Sequence, residues 1–154
     1  MVKTIQLTQG KEAIVDDIDY AHLSQFKWHY KKTGYVARGL YCGGKMRTIL
    51  MHREIMNPPP DALIDHIDGD KLNNCRSNLR IATNQQNQCN RKRQANNTSG
   101  YKGVCWSKQD KKWCARIRFS DKRYHLGFFD TPEAAHKEYC AKSMELHGKY
   151  GRVE

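Results

Sequence analysis

Residues 91–100 read RKRQANNTSG, ten positions with no apolar periodicity, closed by a glycine. A stretch of that composition has nothing to bury and reads as a linker. It constrains the fold more than any other feature, because no core runs through such a tract. A chain of 154 residues buries one sizeable core or two small ones. The expected organisation is a segment 1–60, a second segment 61–98 that ends in this linker, and a third, 99–154.

Segment 1–60 reads mainly as strands. IQLT and EAIV are short β-type runs, and DIDYAHLSQF spaces Ile18, Leu23 and Phe26 as a short helix would. GYVARGLY and MRTILMH flank Cys42-Gly43-Gly44-Lys45, and paired glycines supply the positive φ of a tight hairpin turn. HREIMNPPP reads as a short helix stopped by prolines. In 61–98, LRIA is a β run, after which Thr83 and Gln86 have capping-box spacing for a helix. In 99–154, YKGVCWS, KWCARIRF and RYHLGFFD are candidate strands. DTPEAAHKEYCAKSMELHG then offers Thr131 as N-cap, Pro132 at the first helical position and Gly148 at the end. Ala135, Tyr139, Ser143 and Leu146 fall on one face of that helix. The predicted fold class is α+β.

The charge names a class of partner. Lys and Arg total 27 against 16 Asp and Glu, a net of +11 with a pI near 9.5. That excess favours a polyanion, and it is spread as +4, +2 and +5 over the three segments. No apolar run of about 18 residues exists, and MVKTIQLTQG has no apolar signal region. A cytoplasmic protein without membrane contact is expected. The six cysteines (42, 75, 89, 105, 114 and 140) include no C-x-x-C pair, so zinc is not expected and the thiols should be free.

Residues 65–74 read DHIDGDKLNN. A calcium loop needs oxygen ligands at positions 1, 3 and 5, glycine at 6 and glutamate at 12. Counted from Asp65, position 3 is Ile67 and position 12 is Arg76; counted from Asp68, position 5 is Leu72. Neither frame fits. Asp68-Gly69-Asp70 is good turn chemistry instead, which leaves Asp65 and His66 at the end of the β run ALID.

Asn78 follows His66 by twelve residues and Asn87 follows Asn78 by nine. The whole stretch, DHIDGDKLNNCRSNLRIATNQQNQCN, resembles the HNH endonuclease family, in particular its His-Asn-Asn subgroup of phage homing and free-standing enzymes. The upstream pieces V-D-D-x-D-Y, K-W and M-H-R-E-I-M are similar to what precedes the motif in phage members. The resemblance implies a ββα-metal element: two strands, the loop between them and a following helix. It makes His66 the base that takes a proton from water. Asp65 and Asn87 become the protein ligands of a divalent metal, Mg²⁺ foremost with Mn²⁺ as substitute, and Asn78 the residue that holds the loop. His52, in M-H-R, is a candidate whose role stays open. Histidine suits the base because its ordinary pKa of about 6.5 leaves it largely neutral near pH 7.

The third segment is similar to the Apetala-type (ethylene-response-factor) DNA-binding domain through Y-K-G-V, W-x-A-R-I-R, Y-x-L-G-x-F-D-T and E-A-A-x-x-Y. In that family a three-stranded antiparallel sheet, backed by one helix, enters the major groove. Eight basic residues against two acidic ones lie between 101 and 126. Lys102, Trp106, Lys108, Arg116, Arg118, Arg123 and Tyr124 are the candidate DNA contacts. One departure is that Cys105 stands where the family usually has arginine. Together the resemblances imply a monomeric, metal-dependent nuclease that nicks double-stranded DNA, of homing or free-standing phage type, acting in a bacterial or phage-infected cell. The alternative is a DNA-binding regulator that does not cleave.

Overall fold

The computed structural model describes residues 1–153 and divides into two compact units, Met1–Ala82 and Thr83–Glu154. The fold is α+β. Among the described residues, no helix is long and apolar enough to cross a membrane, and the six cysteines are free.

The first unit begins with an antiparallel pair, β1 (Val2–Gln6) and β2 (Glu12–Asp16). The short helix α1 (Asp17–Leu23) follows. Its inward side is Leu23, 1% exposed, whereas Ile18 is 80% exposed. The expected Ile18–Leu23–Phe26 stripe therefore fails at Ile18, because the helix spans barely two turns and only its last turn meets the core. A three-stranded antiparallel sheet comes next, ordered β3 (His29–Tyr30), β4 (Val36–Cys42), β5 (Lys45–Leu50). The β4–β5 turn is the glycine pair, with Gly43 and Gly44 at φ 59° and 73°.

Helix α2 (Met51–Met56) runs on directly from β5. It closes at Asn57, which takes the left-handed conformation at φ 41° one residue ahead of the prolines. The Arg53 guanidinium gathers the carbonyls of Pro59, Pro60 and Ala62, so the proline stretch is fastened back to the helix. Finally β6 (Leu63–His66) pairs antiparallel with β7 (Leu79–Ala82). The core is Ile5, Leu7, Val15, Leu23, Trp28, Val36, Met51, Ile55, Ile64 and Leu79, with Ala13 among them. Each large aliphatic side chain there contributes about 1.5–3 kcal/mol by leaving water.

The second unit opens with α3 (Asn84–Cys89), whose capping box forms as its spacing required. Thr83 Oγ1 accepts from Gln86 N–H, while Gln86 Oε1 accepts from Thr83 N–H at 2.8 Å. The strands β8 (Val104–Ser107), β9 (Lys112–Phe119) and β10 (Lys122–Phe129) form an antiparallel sheet with β9 in the centre. Helix α4 (Pro132–His147) packs on one face of it, capped by Thr131 and ended by Gly148. The core is small: Val104, Ala115 and Ala135, with Tyr101, Trp113, Leu126 and Phe129 around them. Gly103 is needed there. At φ 76° it lies so close to Tyr139 that an added Cβ would fall 2.1 Å from the ring.

Candidate active site

The antiparallel register sets Asp65 opposite Arg80 and His66 opposite Leu79. Successive strand residues face opposite ways, so the carboxylate and the imidazole leave the end of β6 in different directions. Both are buried, 5% and 4% exposed. Asp65 Oδ2 accepts from Arg80 Nε at 2.9 Å and from Nη2 at 2.7 Å. Arg80 is a site residue the motif alone does not mark; its signal is the register of LRIA against ALID.

The loop between β6 and β7 is tied to itself. Asn78 Oδ1 accepts from Asp68 N–H at 3.0 Å, and Asn78 Nδ2 donates to Asp68 Oδ1 and to the Asn73 carbonyl. Asp68 also accepts from Asp70 N–H and from Asn73 Nδ2, each at 2.7 Å. Asp70 accepts from Leu72 N–H at 3.0 Å. These are turn-forming bonds. Burial alone would raise the Asp68 pKa, but the bonds it accepts outweigh burial and hold the carboxyl below its usual range. The loop is pinned to β2 as well, Ile14 N–H donating to Leu72 O and Asn74 N–H to Ile14 O. Asn74 is fully buried and its Nδ2 donates to the carbonyls of Lys71 and Leu72.

His66 meets two opposing influences. Burial lowers its pKa, while the Asn74 carboxamide and the charges of Asp68, Asp65 and Asp70 raise it. Burial wins, so the imidazole is neutral near pH 7 and able to take a proton.

His52, early in α2, joins the same cluster. Its ring centroid is 5.2 Å from that of His66, nearly edge-on, and 5.2 Å from that of Tyr35. Lys71 Nζ sits 4.1 Å over the Tyr35 ring and donates to Thr33 O. His52 is 5% exposed, and among the described residues its Nδ1 has no hydrogen-bond partner. Burial, helped by His66, Arg53 and Lys71, pushes its pKa down to about 3.

Asn87 stands half-buried on α3 of the second unit. Hence Asp65, His66 and Asn78 gather around one loop of the first unit, and the unit boundary falls between the motif's second strand and its helix.

A model of the HNH endonuclease family matches residues 57–89. Protein 3.8 of Escherichia phage T7 is 37% identical over 94 residues, 61% of this chain and 77% of that protein. The uncharacterized HNH endonuclease L560 of Acanthamoeba polyphaga mimivirus is 31% identical over 148 residues, 92% of this chain and 74% of that protein. The chain belongs to the HNH endonuclease family. No solved structure matches it.

Membership makes this nuclease an enzyme acting on DNA, in a family that generally uses a divalent metal. The donors present suit a hard cation. Among the described residues no three His, Cys, Asp or Glu side chains cluster at metal-binding distance. The Asp65 carboxylate, one oxygen of which is committed to Arg80, is the kind of hard oxygen donor that suits an ion keeping most positions for water and phosphate, as Mg²⁺ does.

The candidate DNA contacts of the second unit separate into four groups. Arg118 pairs with Arg123 and Arg116 with His125 across β9–β10, while Cys105 and Cys114 pair across β8–β9. Directly opposed residues share a face, so Arg116, Arg118, Arg123 and His125 project together on the side away from α4. Trp106 and Tyr124 pair with Trp113 and Ile117 and so lie on the helix side, where Lys142 of α4 sits over the Tyr124 ring at 5.9 Å. The interleaving of aromatic and basic residues along the sequence does not place them on one surface. Lys108 is exposed in the β8–β9 turn. Lys102 is half-buried: its Nζ donates to Cys89 O at 2.7 Å and Arg152 O at 3.0 Å, and burial drops its pKa to about 8. A cleft of about 730 Å³ within this unit is lined by Arg91, Lys92, Arg93, Arg116 and Arg118, with Asp121 as its acid.

Proposed function

We propose that this HNH nuclease nicks double-stranded DNA as a monomer, with His66 as general base and a divalent ion, Mg²⁺ foremost, held by Asp65 and Asn87. The observation that carries the reading is His66 itself: buried, kept neutral, and aimed by a loop that Asn78, Asp68 and Asn74 tie down. When bound, the ion supplies a Lewis acid to the scissile phosphate and the leaving oxygen.

The side chains do the rest. His66 takes a proton from the water that attacks phosphorus, and the fixed loop keeps that water in line with the leaving oxygen. Arg80, bonded to Asp65, orients the carboxylate. Asn78 keeps the strand ends in register. One motif of this kind in a monomer cuts one strand per binding event. Viral relatives support a homing or free-standing phage role.

The second unit serves as the targeting module, in the manner of an Apetala-type sheet. Arg116, Arg118 and Arg123 reach the major groove together, Lys108 touches phosphate, and the cationic cleft follows the backbone. Lys102 is tied to two carbonyls, Trp106 meets Trp113 edge-on and Tyr124 lies under Lys142; the three are not assigned to the arginine face that reads DNA.

The test is His66→Ala in the full chain. Loss of a general base costs about 10²–10⁴-fold in rate, and affinity for duplex DNA should stay within a few-fold, since no phosphate contact is removed. Cleavage at the wild-type rate would sink the assignment.

A further inference from the structure

Ten successive residues of the first unit, 39–48, are all exposed. They form the free end of the β4–β5 hairpin, and among them are side chains that proteins rarely leave in water: Tyr41 and Met46 are each 70% exposed and Leu40 is 40% exposed. The register sorts them. Leu40 faces Arg47 and Cys42 faces Lys45 on one side, while Tyr41 faces Met46 on the other. The ten residues carry two cations and no acid.

The root of the hairpin is held as firmly as its tip is open. Arg38 bonds Glu54 through Nε at 2.9 Å and Nη2 at 3.0 Å, with both side chains largely buried. The same guanidinium lies 3.9 Å over the Phe26 ring. Strand β5 then passes without a break into α2, whose His52 touches His66. An exposed arm thus has its position fixed relative to the general base.

We propose that the β4–β5 hairpin is a DNA-contacting arm whose free end enters the major groove next to the strand being cut. The inference rests on the chain being a DNA nuclease. The four residue pairs beyond the root reach about 13 Å, with strands about 5 Å apart, and a two-stranded ribbon of that size fits a groove about 12 Å wide. Lys45 and Arg47 on one face take phosphates. Tyr41 and Met46 on the other supply flat and flexible apolar surface to base edges and thymine methyl groups. The absence of acid from the arm matches a polyanion and not a mixed-charge protein surface.

Cys42 at the tip allows a direct test in the His66→Ala protein that also carries Cys105→Ser, which removes the other exposed thiol. Duplex DNA of mixed sequence is prepared with a disulfide-activated tether on cytosine N4, in the major groove, or on guanine N2, in the minor groove. Exchange with the Cys42 thiol should trap the first duplex and not the second, and Cys42→Ser should abolish trapping. In parallel, Lys45→Ala with Arg47→Ala should lower the salt slope of log K by about 1.8, two contacts at about 0.9 each. Tyr41→Ser with Met46→Ser should weaken binding several-fold with the slope unchanged. Trapping by the minor-groove tether alone, or no trapping with an unchanged slope, would overturn the proposal. A wild-type dimer in sedimentation that the Tyr41 and Met46 changes dissolve would also overturn it, assigning the arm to a second copy. Plasmid cleavage by the wild type is read separately: cleavage with a silent arm refutes the arm alone, and trapping without cleavage refutes the nuclease reading alone.

Discussion

His52 makes the first unit acid-labile, by an amount that follows from its burial. The ring is 5% exposed and its pKa is pushed down to about 3, first by burial and then by His66, Arg53 and Lys71. In the unfolded chain it returns to about 6.5. Between those values the unfolded chain binds a proton that the folded chain refuses, so stability is full above about pH 6.5 and is lost as pH falls toward 3. At pH 5 the loss is about 1.5 pH units at 1.36 kcal/mol each, or ~2 kcal/mol, and the limiting loss is on the order of 5 kcal/mol. The perturbation is His52→Gln, neutral at every pH. The assay is urea unfolding at pH 7, 6 and 5, followed through the amide signals of β1 and β2. These report on the first unit alone. Wild type should lose ~2 kcal/mol more than the variant between pH 7 and 5. His66 is present in both proteins, so its contribution largely cancels in the difference. Parallel pH dependences would refute the reasoning and mean that His52 accepts a proton inside the fold.

Two further outcomes address the metal and the DNA surface. Asp65→Ala and Asn87→Ala should both raise the metal concentration needed for half-maximal cleavage, Asp65 more because it carries the charge, with Mn²⁺ partly rescuing Asn87→Ala; unaltered metal dependence in both would remove the ligand assignment. Arg116→Ala with Arg118→Ala should relax site choice by about 1–3 kcal/mol per lost base contact, while Trp106→Phe and Tyr124→Phe should leave it unchanged; competitive cleavage of matched and mismatched duplexes measures both.

The parts of the fold legible in the sequence were those governed by local chemistry. The glycine pair made the β4–β5 turn, Thr83 with Gln86 made the capping box, and Thr131, Pro132 and Gly148 bounded α4. The spacing of Asp65, His66 and Asn78 was readable because a strand, a tied loop and a second strand fix it within fourteen residues. What escaped depended on contacts between distant segments. His52 reaches His66 only because a whole hairpin returns the chain to the core. Arg80 reaches Asp65 through a register that no local pattern specifies. Lys102 looked like a surface cation, yet it is drawn inward by the carbonyls of Cys89 and Arg152, residues thirteen and fifty positions away. Trp106 and Tyr124 lie close to the arginines along the chain, and the two-residue period of the strands puts them on the opposite face.

The most direct measurement is incubation of a supercoiled plasmid with the full-length protein in Mg²⁺, in EDTA, and with His66→Ala in Mg²⁺. The expected result is nicked circles accumulating ahead of any linear product in Mg²⁺, and no product in the other two. Cleavage that persists in EDTA, or in His66→Ala at the wild-type rate, would contradict the account. So would linear DNA as the first product, which requires two active sites acting together, and so would an intact plasmid in all three, which describes a DNA-binding protein that does not cut.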